Sequence, residues 1–347
     1  MAKQINPSLA RLWQQDNLRR YGSINPQFVR VDSEAQHRAL DLIESGLTNT
    51  QFEDLETLAK IKTGELNTLI DRLGPLISST SSFIPSFTST EVEQRFAEIL
   101  RVYSLGELDP AITLQKRRLA KVFLSTLSRP GLVAARGLFA MGIGQILSFD
   151  GTKVRQADVT ELGYPASAIG QTKHQAAKEL LDKSRSSLQL HSRLTESLES
   201  LDVAILIAND VVQPEQFQPW MTRETPHIAI CFSELGAEIS QLVIPGITPC
   251  LACNELQRIS SDPNRISIAT QLSGLTRDFA DSATLLASLG FALTQLIRFI
   301  DFGHLQPDQN TPMELIAKTG KFVPGELTRV NCGCIRPNLD TQMVHGL

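Results

Sequence analysis

The second half of the chain alternates short, continuous apolar runs with helical patterns. The run Val122-Phe123-Leu124 precedes a helical pattern over 130–141, and a second strand-like run, 145–150, follows that helix. Continuous apolar runs in strand–helix alternation are typical of a parallel sheet covered by helices on both faces. The sequence therefore predicts an α/β fold with a Rossmann-like, doubly wound sheet. The remaining predicted elements are helix 174–188, strands 201–208 and 227–232, a long helix over 282–302, and strand-like segments on both sides of Pro324-Gly325.

The first 77 residues have a different pattern. Alternating apolar and polar residues over 17–22 and 27–32 flank a turn signal, Asn25-Pro26, and predict a hairpin. Three short helical patterns follow: one from Ser33 to Gly46, one capped by Asn49 or Thr50 and ending before Gly64, and one ending at Gly74-Pro75. Two strands followed by three short helices predict a small α+β, winged-helix-like domain.

A polar segment separates these two patterns. Residues 78–90 (SSTSSFIPSFTST) contain nine serines and threonines and a proline, a composition typical of a linker. A helix from about Glu91 to Leu105 leads into the second pattern. We therefore expect a domain over 1–77, a linker over 78–90 and an α/β domain over 91–347.

The composition excludes several classes of protein. Apolar residues make up 42% of the 347 residues and charged residues 20%, so the chain can bury large cores and wholesale disorder is excluded. The net charge of −4 has the wrong sign for a general nucleic-acid binder. No apolar stretch approaches the ~18 residues of a membrane span, and the start lacks the apolar segment of a signal peptide. We expect a cytoplasmic protein with no nucleic-acid partner and no membrane partner.

Four of the five cysteines form two close pairs, Cys250-x-x-Cys253 and Cys332-x-Cys334. A structural zinc site takes four thiolates at ~2.3 Å, and a Cys-x-x-Cys turn presents two of them from one loop. The pairs therefore predict a zinc ion that ties the C-terminal segment to the α/β domain, with a metal-free dithiol and redox chemistry as alternatives. Cys231 lies in an apolar run and is expected to be a small core residue.

The first strand–turn–helix–strand unit has the layout of a nucleotide site. In such sites glycines let backbone amides meet phosphate at a helix N-terminus, and an acid after the second strand holds the ribose hydroxyls. The turn 126–131 retains Gly131, the last glycine of that pattern. Asp150 stands at the ribose position, and Lys173 is a candidate phosphate ligand. The alternative is that Asp150 caps a strand end and Lys173 is a solvated residue at a helix start.

Together, these segments resemble the ThiF/MoeB superfamily, the ubiquitin-activating-type adenylyltransferases, over about residues 115–335. The resemblance is carried by 140–150 (AMGIGQILSFD), 170–173 (GQTK), 202–210, 245–253 (PGITPCLAC) and the closing cysteine pair. It implies a ThiF fold that binds ATP and Mg, adenylates the C-terminal carboxylate of a peptide or small protein, carries the four-cysteine zinc site and forms homodimers.

More closely, the chain resembles the ThiF-like proteins of actinobacterial and bacteriocin-type clusters, which carry an N-terminal winged-helix peptide-binding module. The matching segments are residues 5–75 as a whole, 249–258 (PCLACNELQR) and 269–272 (ATQL). This resemblance implies that the protein presents a precursor leader peptide to a partner modifying enzyme. The N-terminal domain would hold the peptide as an additional strand.

The turn departs from the family pattern in ways that weaken ATP binding. Thr126 and Ser128 add side chains where glycines let phosphate approach, and Pro130 removes an amide donor. ATP affinity should therefore be low.

Charge placement also departs from the family pattern. The resemblance makes Asp210 the candidate Mg carboxylate and catalytic residue. Asp158 and Glu161 add negative charge where the family keeps neutral or positive donors, which is repulsive for a triphosphate. The nearest arginine, Arg155, is too close to Asp150 to fill the family position without a gap.

The leading hypothesis is a degenerate adenylyltransferase that binds a precursor or leader peptide. The enzyme alternative keeps ATP-dependent adenylation, with Asp150 on ribose, Lys173 on phosphate and Asp210 on Mg. A third hypothesis is a DNA-binding winged-helix regulator, but residues 50–73 contain three basic side chains against five acidic ones.

Overall fold

The structure is a computed structural model that describes residues 2–80, 88–106, 108–182, 189–192, 200–275, 277–306, 311–325 and 332–335. Contacts within the chain divide it into a first unit, Met1–Lys116, and a second unit, Arg117–Leu347. The predicted linker begins inside a strand at residues 78–80, and residues 81–87 lie outside the described part of the chain.

The first unit contains two antiparallel three-stranded sheets with helices around them. Its strands are β1 (Ala2–Ile5), β2 (Arg11–Gln15), β3 (Leu18–Tyr21), β4 (Gln27–Arg30), β5 (Leu47–Thr48) and β6 (Ile77–Thr80). Its helices are α1 (Glu34–Ser45), α2 (Asn49–Glu53), α3 (Leu55–Ala59), α4 (Thr63–Leu73), α5 (Ser89–Gln94) and α6 (Phe96–Leu105), and α7 (Pro110–Leu119) contains the boundary between the units. The strand orders are β5-β1-β6 and β2-β3-β4.

Local signals explain most of the first unit. The predicted hairpin is present as β3 and β4, and β2 adds a third strand that the sequence analysis missed. The Ser33 hydroxyl caps α1 by accepting from the Gln36 amide, and Gly46 ends that helix at φ 87°. The second predicted helix is capped by Thr48, one residue before the predicted caps, and is divided at Asp54 into α2 and α3.

The second unit contains one eight-stranded mixed sheet. Its strands are β7 (Lys121–Leu124), β8 (Gln145–Leu147), β9 (Gln189–His191), β10 (Val203–Asn209), β11 (His227–Ser233), β12 (Gly236–Ile239), β13 (Met313–Ile316) and β14 (Lys321–Pro324). Its helices are α8 (Arg129–Met141), α9 (Lys173–Asp182), α10 (Pro214–Thr222), α11 (Leu251–Ser261), α12 (Arg265–Ser273) and α13 (Ser282–Phe302).

The strand order is β14-β13-β12-β11-β10-β7-β8-β9, with parallel pairing from β9 to β11 and antiparallel pairing from β11 to β14. The predicted strands are present as β7, β8, β10 and β11, and β14 is the strand predicted before Pro324-Gly325, whereas β9, β12 and β13 were not predicted. Gly236 opens β12 at φ 142°, and an added Cβ there would lie 1.9 Å from the Leu315 carbonyl oxygen. The predicted strand after Pro324-Gly325 and the end of helix 174–188 lie outside the described residues.

The order of the parallel strands places a crevice for a ligand at the carboxyl ends of β7 and β10. β7 pairs with β8 on one side and β10 on the other, so the chain leaves β7 and β10 toward opposite faces at their carboxyl ends. Ligands of open α/β sheets bind at such a switch point. The segments that follow β7, β8 and β10 are therefore the first place to look for a site.

Contrary to the expectation that no apolar stretch approaches the length of a membrane span, the 21-residue helix α13 is long and apolar enough to cross a membrane by length and composition. One face of the helix is buried in the core of the second unit through Leu285, Leu289, Leu293 and Leu296. A buried core helix passes the same test, so this is weak evidence for a membrane span.

Candidate functional site

The loop between β7 and α8 depends on Gly131. A Cβ at this position would lie 1.9 Å from the carbonyl oxygen of Thr126, so only glycine allows the loop to fold back on the first turn of α8. Thr126 takes part in the same loop, since its Oγ1 accepts from the Ser128 amide at 3.0 Å. Gly131 therefore positions the loop through close backbone packing.

Asp150 follows β8 and holds this loop with its carboxylate. One oxygen accepts from the Thr126 hydroxyl at 2.9 Å and from the Leu127 amide at 2.8 Å, and the other accepts from the Thr152 amide at 3.0 Å. Burial alone would raise the pKa of the Asp150 carboxyl, but the hydrogen bonds from Thr152, Leu127 and Thr126 lower it below its ordinary value. Asp150 is thus an ionised anchor of the β7 loop.

Lys173 opens α9 and is buried, with 5% of its surface exposed. Its Nζ lies 3.3 Å from Oδ1 of Asp158, which is also buried and accepts from the Arg155 amide at 2.9 Å. Tyr164 connects this pair to the loop by donating its hydroxyl to the Leu127 carbonyl at 2.6 Å. The expectation that Asp158 places negative charge in the cleft is not met, because Asp158 is paired with Lys173 below the surface.

An open cleft of about 610 Å³ lies above these residues. It is lined by Ser125, Thr126, Phe149, Asp150, Gly151, Thr152, Lys153, Arg155 and Lys173. Lys173 is balanced by Asp158, so Lys153 and Arg155 against Asp150 give the cleft a positive lining, which suits an anion. The sequence analysis missed Lys153 and set Arg155 aside, although both follow Asp150 within five residues.

A second, more apolar cavity of about 290 Å³ shares Ser125 and Phe149 with this cleft. Phe123 lies between two aromatic rings in its wall, with ring centroids 4.3 Å from Trp220 and 5.5 Å from Phe149. An aromatic cavity beside a cationic cleft has the chemistry to hold a flat ring joined to an anionic group.

Asp210 follows β10 in the left-handed backbone region, at φ 62°, and its amide donates to the Phe232 carbonyl at 2.7 Å. Its carboxylate accepts two hydrogen bonds from Arg277, at 2.6 and 3.1 Å, and only 4% of the side chain is exposed. A magnesium ion needs open carboxylate oxygens and room for several waters. The residues as arranged do not fit magnesium at Asp210, because Arg277 occupies both oxygens.

The four paired cysteines come together, as predicted. Their sulfur atoms all lie within 4.8 Å of one another: Cys250 is 3.8 Å from Cys253 and 3.7 Å from Cys332, and Cys253 is 3.5 Å from Cys334 and 3.0 Å from Cys332. Four thiolates at ~2.3 Å from a tetrahedral zinc ion would be about 3.8 Å apart. The donor set and its spacing therefore fit a zinc ion.

The four cysteines come from two distant segments, and the backbone of each segment fixes the position of its own pair. The Cys253 amide donates to the Cys250 carbonyl at the start of α11, and Gly333 adopts φ 75° between the other two cysteines. Burial, followed by the charges of Cys334 and Cys332, raises the pKa of the Cys250 thiol to about 11. A bound cation would lower the pKa of the Cys250 thiol again, because it stabilises the thiolate. Cys231 lies apart in β11, and burial raises the pKa of its thiol to about 12.

Comparisons with solved structures give the same fold over nearly the whole chain. The crystal structure of E. coli MccB matches with a TM-score of 0.69 and 14% sequence identity, covering 100% of both chains. E. coli MccB with AMPCPP and MccA matches with a TM-score of 0.68 and 15% identity, covering 96% of this chain and 98% of that chain. PaaA matches with a TM-score of 0.64 and 16% identity, covering 81% of this chain and 97% of that chain.

No protein-family model matches the chain, and no curated protein matches it by sequence. At 14–16% identity the structural matches show the fold alone. The chain therefore has the fold of MccB and PaaA, and the predicted fold class, a ThiF-type α/β sheet with a small N-terminal α+β domain, is confirmed.

Proposed function

We propose that this protein is the peptide-binding partner of a peptide-modifying system, built on an adenylyltransferase fold whose ATP chemistry is weak or lost. One observation carries the second half of the proposal: each of the three polar residues expected to hold Mg·ATP is already bound within the chain. Asp150 holds the β7 loop, Lys173 pairs with Asp158, and Asp210 pairs with Arg277.

The loop itself supports weak nucleotide binding. Backbone amides at a helix N-terminus bind phosphate only when they are free to donate. Here the Leu127 amide donates to Asp150 and the Ser128 amide to Thr126, while Pro130 has no amide proton. Side chains that replace glycines in this loop therefore also take up donors that a phosphate would need.

An active ATP-dependent adenylyltransferase is the second candidate, and the cleft favours it. Lys153, Arg155 and Lys173 line a space of about 610 Å³ beside an aromatic cavity. MccB, which has the same fold, has been solved with ATP. In this alternative Asp150 contacts ribose, Lys173 contacts phosphate and Asp210 holds Mg, which requires Asp158 to release Lys173 and Arg277 to release Asp210.

The first unit supplies the peptide-binding part of the proposal. Among the described residues, β4 pairs with β3 alone, so its outer edge is open to another strand. Phe28 on this strand is 48% exposed, whereas Val29 is buried beneath the sheet. Arg72 of α4 donates to the Arg30 carbonyl at 2.7 Å and so fixes one end of the edge. An extended peptide added to β4 gains main-chain hydrogen bonds and contact with Phe28.

MccB structures in complex with MccA support a peptide ligand for this fold. We assign peptide binding to the predicted domain 1–77, with the linker 78–90 and the ThiF-like domain 91–347 as predicted from the sequence. Of these bounds, residues 78–80 belong to β6 in the structure, and the first compact unit extends to Lys116. The proposal includes a cytoplasmic location. It also includes a partner modifying enzyme, which the resemblance to bacteriocin-cluster ThiF-like proteins implies, and a homodimer, which the ThiF/MoeB resemblance implies.

The test first asks whether a short precursor peptide is encoded beside this gene, since its absence counts against the proposal. The leader segment of that peptide is then labelled with a fluorophore and titrated with the full chain. Phe28→Glu should weaken binding at least tenfold, because the charge lies on the edge strand. Ile24→Glu is the matched control, since Ile24 is 88% exposed in the β3–β4 turn. Equal binding by wild type and Phe28→Glu contradicts the proposed edge, and salt-dependent binding of short DNA instead of peptide favours the regulator hypothesis.

A further inference from the structure

A short segment before α13 lies over the end of β10 and the start of α8. We call residues 277–280 the strap. Arg277 binds Asp210 after β10, and the Phe279 amide points to the Asn209 side-chain oxygen at 3.5 Å. The strap thus contacts the two residues at which the chain leaves β10, on one side of the switch point.

A second ion pair holds the strap on the other side of the switch point. Arg129, in the first turn of α8, lies 3.1 Å from the Asp278 carboxylate and also donates to the Ala280 carbonyl. Asp281 then caps α13 by accepting from the Ala283 amide at 3.0 Å, so the far end of the strap is fixed by a 21-residue helix. Two arginine pairs and one helix cap therefore hold a segment of four residues.

The Asp210 carboxylate binds a cationic group, and that group is the Arg277 guanidinium. Both carboxylate oxygens accept from Arg277 in a bidentate arrangement, and Arg277 lies over the Phe279 ring at 4.9 Å from its centroid. Bidentate guanidinium–carboxylate pairs combine charge with fixed geometry. Neither Arg277 nor Asp210 lines the 610 Å³ cleft, so Arg277 is not placed as a phosphate ligand.

We propose that Arg277 takes the place of a divalent cation at Asp210, and that this pair latches the strap onto the end of β10, beside the first turn of α8. In the latched state the chain excludes a divalent cation from Asp210. The inference rests on the proposed function, for which it gives a cause: ATP chemistry is weak because the candidate metal carboxylate is closed by a residue of the same chain.

The test measures Mn²⁺ binding to the zinc-loaded full chain by the loss of the free Mn²⁺ signal in electron paramagnetic resonance. Arg277→Gln should bind Mn²⁺ at least about 10-fold more tightly than wild type, because the apparent affinity falls with the fraction of molecules whose Asp210 carboxylate is open, and a tenfold gain corresponds to about one open molecule in ten. The gain should be absent in Arg277→Gln/Asp210→Asn, since Arg277 acts through Asp210. Arg265→Gln is the control, because Arg265 makes a similar two-bond pair with Glu255, at 2.7 and 3.1 Å.

Hydrogen exchange gives a second measurement on the same proteins. The Phe279 and Ala280 amides should exchange about tenfold faster in Arg277→Gln than in wild type or Arg265→Gln. If Arg277→Gln fails to fold, Arg277→Lys keeps the charge without the two-bond geometry and should show a smaller increase in both readouts. Unchanged Mn²⁺ affinity in a folded Arg277 variant overturns the latch. Neither readout uses nucleotide or peptide, so this failure is distinct from a failure of the proposed function.

Discussion

The Lys173 ammonium lies 3.3 Å from the Asp158 carboxylate, and 6% and 8% of the two side chains are exposed. Lys173 was predicted to bind phosphate and Asp158 to repel it, whereas in the structure the two side chains pair with each other. The position of this pair beneath the cleft means that Asp158 neutralises Lys173 before any ligand arrives. A phosphate that recruits Lys173 has to compete with a buried, preformed partner, and this competition is one physical reason to expect weak ATP binding.

Asp158→Asn should destabilise the protein strongly, by about 3 kcal/mol, because it leaves the Lys173 charge buried without a counter-charge. Urea denaturation followed by circular dichroism measures this change. Glu161→Gln removes a carboxylate from an exposed position three residues away and should change stability by less than ~0.5 kcal/mol. Equal effects of the two substitutions would show that the pair is not buried as described.

Cys250→Ser should remove bound zinc and lower the free energy of unfolding by ~3 kcal/mol, because the site joins α11 to the distant 332–335 segment. Elemental analysis of wild type should find about one zinc per chain. Cys231→Ser is the control, since Cys231 lies outside the cluster, and it should keep the zinc. A wild-type protein with no metal and four freely reactive thiols contradicts the zinc assignment.

Gly131→Ala should cost about 2–3 kcal/mol, because the added methyl meets the Thr126 carbonyl oxygen at 1.9 Å and either the loop or α8 has to move. Gly290→Ala is the matched control on α13, where an added Cβ has nothing within 4 Å. That substitution should stabilise the helix by about 0.5–1 kcal/mol. Thermal unfolding measures both variants, and we expect the melting temperature to fall in Gly131→Ala and to rise in Gly290→Ala. An unchanged melting temperature in Gly131→Ala would show that the loop is not packed on the helix.

His227 should make stability depend on pH. Burial lowers the pKa of its imidazole to about 4, while its Nδ1–H donates to the Thr225 carbonyl and Nε2 has no partner among the described residues. The unfolded chain binds the proton near pH 6.5, so the folded state loses stability as pH falls from 6.5 to 4, by about 3 kcal/mol in total. Denaturant titrations at several pH values measure this slope. His227→Gln should flatten it, and an unchanged slope in that variant would assign the effect to other groups.

The sequence analysis succeeded where the signal is local. Continuous apolar runs identified β7, β10 and β11, and the spacing of the cysteines identified a cluster that the fold assembles from segments far apart in the chain. The capping residue Ser33 and the terminating Gly46 predicted both ends of α1 correctly, because each acts within one turn of the helix end that it forms.

The rest depends on contacts that no local pattern encodes. Arg277 lies 67 residues after Asp210, in a stretch with no motif, so its role is visible only once the strap lies over β10. The strands β12 and β13 have four residues each, too few to establish a periodic pattern, whereas Pro324-Gly325 marked the end of β14. Asp158 was interpreted by charge alone, whereas in the structure it is buried beside Lys173, so it competes with phosphate for Lys173 instead of repelling phosphate in the cleft.

Calorimetric titration of the full chain with Mg·ATP measures whether the cleft still binds nucleotide. We expect a dissociation constant above the ~1 mM at the top of ordinary substrate ranges, because the loop amides, Lys173 and Asp210 are already bound within the chain. Asp150→Ala should then make no measurable difference. Micromolar binding that Asp150→Ala abolishes would contradict the account and leave an active adenylyltransferase as the better explanation.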